Sequence, residues 1–330
     1  MKKGKVSEAV LKRSVLRPFA LAGVLDTRSA SFGEDCAFFS FFGETGLLCA
    51  TAAGTIGGFF DRTLFMLAAE TANNLSTGGA ELDWLMVDIL YPLGWSEEGL
   101  KALTKELAQV CKRLSARIAG GHTQISEAVD RPVVTVTGFG RIPEGREGRT
   151  ADLQPGWHLV MTGAAGLGGT AVIASQREAQ LKKRYPYFLV EQAKALDQRL
   201  LIGEAARAAS RFGARAMHDV SQGGIFGALW EMSECAGVGL EVDLKKIPIR
   251  QETIEICEFF DLNPYQLYGQ GSLLIGTAEG EALAGQLWEL GIPAAVIGKT
   301  VSGNDRILKN GEDIRFLDRP AQDALWTLEL

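Results

Sequence analysis

The chain is short of cysteine, of long apolar runs and of surplus positive charge, and each shortage excludes a class of protein. Its 330 residues include five cysteines, Cys36, Cys49, Cys111, Cys235 and Cys257. The number is odd and no C-x-x-C spacing occurs, which argues against a disulfide framework and a zinc ribbon and points to a reducing cytoplasm. No stretch approaches the roughly 20 apolar residues of a membrane span. The basic start keeps its charges through Arg17, leaving no long apolar segment for a signal peptide. The expectation is a cytoplasmic protein with no membrane partner. Lys and Arg number 34 against 40 Asp and Glu, a net charge of −6, so the basic footprint of a nucleic-acid binder is missing. Short-period repeats and low-complexity tracts are absent too.

What is present is ordinary for a globular protein: 46% hydrophobic and 22% charged residues. The length suggests two domains. The Gly-, Pro- and charge-rich stretch from Ile142 to Pro155 separates two periodic regions and places the boundary between 1–150 and 151–330. In the first half, 47–51, 82–90 and 132–140 read as strands, and 61–75 and 96–114 as helices. The second helix shows Leu100, Leu103, Leu107, Val110, Cys111 and Leu114 on one face, with Ser96 as its N-cap. In the second half strands at 157–163, 216, 239–244, 272–277 and 294–300 alternate with helices, one of them long, from Tyr187 to Ser210. Asn310-Gly311 marks a closing hairpin.

Four glycine-centred segments are candidates for chemistry. Gly33-Glu34-Asp35-Cys36-Ala37 places two acids at the entry to a buried strand, the apolar run Phe38–Phe42, suiting a hard cation such as Mg²⁺ or, alternatively, a solvated turn. Gly120-Gly121-His122-Thr123 offers close backbone approach and a hydroxyl, or else an ordinary turn histidine. The loop from Thr162 to Thr170, with Gly166, Gly168 and Gly169, follows a strand and opens a helix. It has Walker A spacing, but Gly169 stands where the lysine belongs; this excludes a P-loop NTPase and leaves weak anion binding or tight helix–strand packing. His218-Asp219-Val220-Ser221-Gln222-Gly223-Gly224 gathers polar side chains at another strand-to-helix turn, as a reactive site or a helix cap.

In this order the segments resemble the AIR synthase (PurM-like) superfamily. GEDCA is similar to its G-D-D-A-A segment, and Ala72-Asn73-Asn74-Leu75-Ser76-Thr77-Gly78-Gly79-Ala80 to its A-N-D-L-x-x-x-G-A helix. Gly4-Lys5-Val6 with Leu11, and the run 223–249, resemble the hydrogenase-maturation, HypE-like branch. The resemblance implies an α+β fold of two domains: an N-terminal one forming a β-barrel with a second copy in a homodimer, and a C-terminal one with helices packed on a mixed sheet. It also implies ATP, with Mg²⁺ held by Glu34, Asp35 and Asn74. Nucleotide contacts would come from Glu34, Asp35, Asn74, Gly120, Gly121, Thr123, Gly166, Gly168, Gly169, Asp219, Gly223 and Gly224, with His218, His122 or Asp35 in catalysis.

Several positions depart from the family pattern. The branch dehydrates a carbamoyl group carried on its own C-terminal cysteine, and no cysteine follows Cys257 here. The expectation is therefore ATP-dependent activation of an external amide or carbamoyl substrate, small or protein-borne. Ala52 and Ala53 stand where an Asp follows Thr in the family, and Asn74 replaces another acid. Opposite charges about 4 Å apart attract by about 4 kcal/mol at an effective dielectric near 20, so losing a carboxylate weakens Mg·ATP binding. The alternatives are a degenerate homologue serving as a dimeric scaffold, and a kinase or cyclase of the ThiL or PurM type.

Overall fold

A computed structural model describes residues 7–23, 32–40, 45–58, 63–143, 146–320 and 322–328. Gly4-Lys5-Val6, Phe41, Phe42, Asp61 and Leu330 lie outside the described residues. The chain divides into two compact units, an N-terminal one of residues 36–147 and a C-terminal one of residues 1–35 with 148–330. Both are α+β, as the family resemblance implies.

The chain opens with α1 (Glu8–Leu11) and α2 (Arg17–Leu21), joined by a π-helical turn at Lys12–Leu16. These belong to the C-terminal unit. The N-terminal unit holds β1 (Ala37–Ser40), β2 (Thr45–Thr55), α3 (Leu64–Thr77), β3 (Trp84–Pro92), α4 (Glu97–Arg113), β4 (Arg117–Ser126) and β5 (Val133–Pro143). Its sheet runs β1-β2-β5-β3-β4, antiparallel except for the parallel pair β3–β4. Strand alternation sends Ala52, Leu85, Val87, Ile89, Tyr91, Val134 and Val136 to one face, where α3 and α4 bury them. Ser96 caps α4 by accepting from the Gly99 amide at 3.2 Å.

The opposite face carries the exposed apolar residues Met86 and Leu90 of β3, whereas Ile118 and Ile125 on the edge strand β4 pair with Leu85 and Tyr91 and so stand exposed at the rim of the helix-covered face. Two expectations change here. The residues after GEDCA form a short edge strand with Phe39 exposed, not a buried one. The segment Gly120 to Thr123 is strand rather than turn. The pairing with β3 shifts register just before Gly120, and at Gly121 φ is +151° and a Cβ would fall 1.8 Å from the Val87 carbonyl oxygen, so the close approach needs glycine.

The C-terminal unit continues with β6 (His158–Thr162), α5 (Leu167–Gln176), α6 (Glu178–Leu181), α7 (Tyr187–Lys194), α8 (Gly203–Phe212), β7 (Ala216–Val220), α9 (Gly224–Ala236), β8 (Gly239–Asp243), α10 (Gln251–Phe259), β9 (Ser272–Thr277), α11 (Gly280–Glu289), β10 (Ala294–Val301), β11 (Arg306–Asn310) and β12 (Asp313–Phe316). Its mixed sheet runs β12-β11-β8-β10-β6-β9-β7. Leu159, Met161 and Leu274 face α9, whereas Val160, Leu273 and Ile275 face α8 and α11. The hairpin turns at Asn310-Gly311. The long helix expected from Tyr187 to Ser210 is instead two helices, α7 and α8, parted by a 3-10 turn at Ala195–Arg199. Gly203, a poor helix-interior residue, marks the restart. Among the described residues no helix is long and apolar enough to cross a membrane.

Leu67 is fully buried between α3 and the N-terminal sheet. Leu67→Ala is expected to cost about 2–5 kcal/mol of stability, read from the urea midpoint; a cost under about 1 kcal/mol would contradict this packing.

Candidate functional site

The site grows from the edge strand β7. Alternation places Ala216 and Val220 in the α9-facing core and Met217 on the other face; His218, in phase with Ala216 and Val220, therefore meets α9. Its Nε2 lies 3.3 Å from Asp35 Oδ1 and 3.5 Å from Glu231 Oε2 on α9. Neither contact is a directed hydrogen bond, so the attraction is between charges. Nδ1 lies 2.7 Å from the Asp219 carbonyl oxygen, which only accepts, so Nδ1 carries a hydrogen. The ring is 2% exposed. Burial alone would push His218 down, but the charges of Asp35, Glu231 and Asp219 outweigh it and hold the imidazole above its ordinary value. The favoured species is an imidazolium enclosed by carboxylates.

Because β7 ends the sheet, its outer backbone groups are open to the N-terminal segment. Asp35 Oδ2 accepts from the Asp219 amide at 3.0 Å, and Thr150 Oγ1 donates to the Met217 carbonyl at 3.1 Å. Glu34 is held alongside: its two oxygens accept from the Thr150 and Ala151 amides, each at 3.2 Å, and the Cys235 thiol approaches to 3.6 Å. Burial pushes Glu34 up against the pull of those amides. Gly33 makes this fit possible, with φ +85° and a backbone so close to α9 that a Cβ would lie 2.5 Å from the Glu231 carbonyl oxygen.

The next turn is closed from the far end of the chain. Asp323 Oδ2 accepts from the Gly223 amide at 2.6 Å, and Oδ1 accepts from the Tyr268 and Leu325 amides. Burial lifts this carboxyl to about 6 in spite of the three amides. The Gly223 amide, expected to contact nucleotide, thus already has an internal anion, and Gly224 is buried in the first turn of α9. The loop before α5 is similarly committed. Ala164 donates to Ser272 Oγ, Ala165 to the Pro248 carbonyl and Gly169 to the Tyr268 carbonyl. Gly166, Gly168 and Gly169 are buried, which favours helix–strand packing over a phosphate cradle.

The remaining candidates lie in the other unit. Gly120, Gly121, His122 and Thr123 sit exposed on β4, with His122 Nε2 3.4 Å from Gln124 Oε1. Asn74 is on α3; its Oδ1 is shielded from solvent and accepts no hydrogen bond. Sequence reasoning missed Glu231, Cys235 and Asp323. Glu231 was detectable as the single acid in the apolar stretch Ile225–Met232, and Asp323 as a capping acid before Ala324-Leu325-Trp326.

Asp35, His218 and Asp219 each present a ligand atom within 4.8 Å of the others. Mg²⁺, however, prefers oxygen ligands and retained water, and here an imidazole belongs to the set and supplies the positive charge itself. This cluster does not fit Mg²⁺. Asn74 Oδ1, a buried neutral oxygen without a donor, does suit a hard cation.

The fold and this acid-rich turn define a two-domain α+β protein of the AIR synthase type. Residues 33–142 match the family described as AIR synthase related protein, N-terminal domain, and 154–309 its C-terminal domain; the chain belongs to this family, on its HypE-like branch. Carbamoyl dehydratase HypE of Rhodobacter capsulatus is 29% identical over 238 residues, covering 70% of this chain and 68% of that protein. HypE of Escherichia coli is 25% identical over 237 residues, 70% and 68% of the two chains. Among solved structures, HypE in the HypE–HypF complex superimposes with a TM-score of 0.75 at 22% identity, covering 93% of this chain and all of that one. HypE in complex with ATP gives 0.71 at 20% identity over 98% and 97%. AaThiL complexed with AMPPCP and TMP gives 0.71 at 18% over 95% and 98%.

Since the folded-state pKa of His218 lies above 6.5, its stabilising contribution is complete below about pH 6.5 and is lost as pH rises through the raised value. Asp323 produces a slope of the same sign between 3.8 and about 6, so the window above pH 6.5 is the one for His218. His218→Gln is expected to cost about 3–5 kcal/mol at pH 6 by stranding buried carboxylates, and to flatten the slope above pH 6.5. Urea unfolding at pH 6 and 8.5 reads both; unchanged stability and slope would refute the imidazolium.

Proposed function

We propose that this chain is an ATP-dependent enzyme of the HypE-like branch that activates the oxygen of an amide or carbamoyl group on a substrate supplied from outside, small or protein-borne. The carrying observation is the joining of the GEDCA acids to the HDVSQGG turn through the Asp35–His218 pair. The relatives crystallised with ATP or AMPPCP support nucleotide as the co-substrate. Glu34, with its carboxyl pushed up and still partly open, is the group suited to hold or move a proton. His218 is enclosed and charged, so it acts as a positioning residue for Asp35. Asn74 Oδ1 would face Mg²⁺, which supplies charge neutralisation for the phosphates when bound.

An external substrate also agrees with the thiols of the C-terminal unit. Burial pushes Cys235 up, helped by Glu34, and lifts Cys257 to about 12, so neither favours the thiolate that an acceptor needs. All five cysteines are free, which is consistent with a cytoplasmic setting. The uncovered sheet face with Met86 and Leu90 supports a second copy as partner, forming the barrel that the family resemblance implies.

Calorimetry with ATP, with and without Mg²⁺, should show Mg-enhanced binding. Asp35→Asn should lower ATP turnover by at least about a hundredfold, the scale of a lost preorganised charge. Binding without turnover would favour the scaffold reading, to which Ala52, buried in the α3–α4 core, already lends some weight. The absence of both binding and turnover at saturating protein would overturn the enzyme reading.

A further inference from the structure

A cavity of about 470 Å³ opens in the C-terminal unit where β6 ends and β9 and β10 begin. This size lies within the range of small-molecule sites. Its apolar wall includes Leu167, Ile202 and Ile292; its charged groups are Arg199, Arg250 and Glu204. Nothing in the proposed activity uses any of them.

Both guanidiniums act on Glu252. Arg250 Nη2 donates to Glu252 Oε1 at 3.1 Å, which fixes the side chain, while its Nε is shielded from water and has no acceptor. Glu252 is itself buried, and although burial opposes its charge, the Arg250 hydrogen bond and the charges of Arg250 and Arg199 hold its carboxyl low. Both cations therefore line the cavity and act on the same carboxylate. Arg199 is exposed and, among the described residues, no carboxylate pairs with it within 4 Å. Two arginines lining one cavity, one of them exposed with unspent donors, suit the binding of an oxyanion.

We propose that this cavity binds an organic oxyanion, a carboxylate or phosphate monoester on an apolar body. Arg199 and Arg250 take the oxyanion, the wall at Leu167, Ile202 and Ile292 takes the body, and Glu204 takes a hydroxyl or amine on it. The site is separate from the acid cluster in chemistry as well as in residues: cationic and apolar here, anionic there.

The probes are phenylacetate, phenyl phosphate and the uncharged 2-phenylethanol, titrated into the full chain without ATP and followed by calorimetry and ligand-observed NMR. At least one anion should bind ten times more tightly than the alcohol, and the tighter of the two names the oxyanion. Arg199→Met, at an exposed position, should leave the thermal midpoint in place and weaken that binding about ten- to a hundredfold, the range for charge-assisted hydrogen bonds. Arg199→Lys should recover only part of it. Anions binding no better than the alcohol, an unchanged affinity in Arg199→Met, or displacement of the probe by ATP would each overturn the site. Because no turnover is measured, failure here leaves the proposed activity standing, and failure of that activity leaves this site standing.

Discussion

The C-terminal unit depends on keeping one positive charge inside a ring of negative ones. Without that charge, Asp35, Asp219 and Glu231 would lose the imidazolium they share, and burial penalises a carboxylate that loses a neighbouring cation. With His218 protonated, the same groups tie three stretches distant in sequence: the segment at 33–35, strand β7 and helix α9. The N-terminal helical stretch is fastened to α9 as well. Lys12 bridges Glu8 and Glu234, and Trp230 Nε1 donates to Glu8. Residues 7–23 and 32–35 thus complete the C-terminal unit although they are far from the rest of it in sequence.

Glycine-rich segments invite a phosphate reading, and here geometry separates two uses of glycine. In the loop before α5 the amides are spent on Ser272, Pro248 and Tyr268, so small residues let a helix and its neighbours approach. At the start of α9 the Gly223 amide does bind an anion, but the anion is Asp323. An anion at a helix N-terminus is favourable whatever its source. A carboxylate already in place must be displaced before a ligand can exploit the same amide.

Much of the fold was legible because strand alternation and helical periodicity are local. Ser96 as a cap and the one-faced α4 needed no partner to be seen, and Asn310-Gly311 specified its hairpin. The misread segments are those where tertiary contacts override the local pattern. Gly120 to Thr123 looks like a turn until the parallel register with β3 demands a residue without a side chain at Gly121. The apparent helix from Tyr187 to Ser210 has continuous periodicity, yet Leu200 and Ile202 are both buried where the chain changes direction. For the site, the GEDCA and HDVSQGG segments were visible as polar residues at turns. Their pairing was not, because no local rule relates Asp35 to a histidine 183 residues later.

A buried ionic cluster is a poor way to gain stability. Desolvating its charges costs several kcal/mol per ion, and apolar residues of similar volume commonly hold a fold as well or better. An aliphatic side chain at position 218 would pack between β7 and α9 with the neighbours Ala216, Val220 and Met232. What it would not do is orient a carboxylate. The imidazolium fixes Asp35 Oδ1 on one side while the Asp219 amide fixes Oδ2 on the other, so the acid loses its rotational freedom and adjacent Glu34 is brought onto the amides at Thr150 and Ala151. The cluster sacrifices stability for position, and position is what a reacting oxygen and a proton-transfer group require. That trade is the physical reason for reading this turn as a site rather than as a seam.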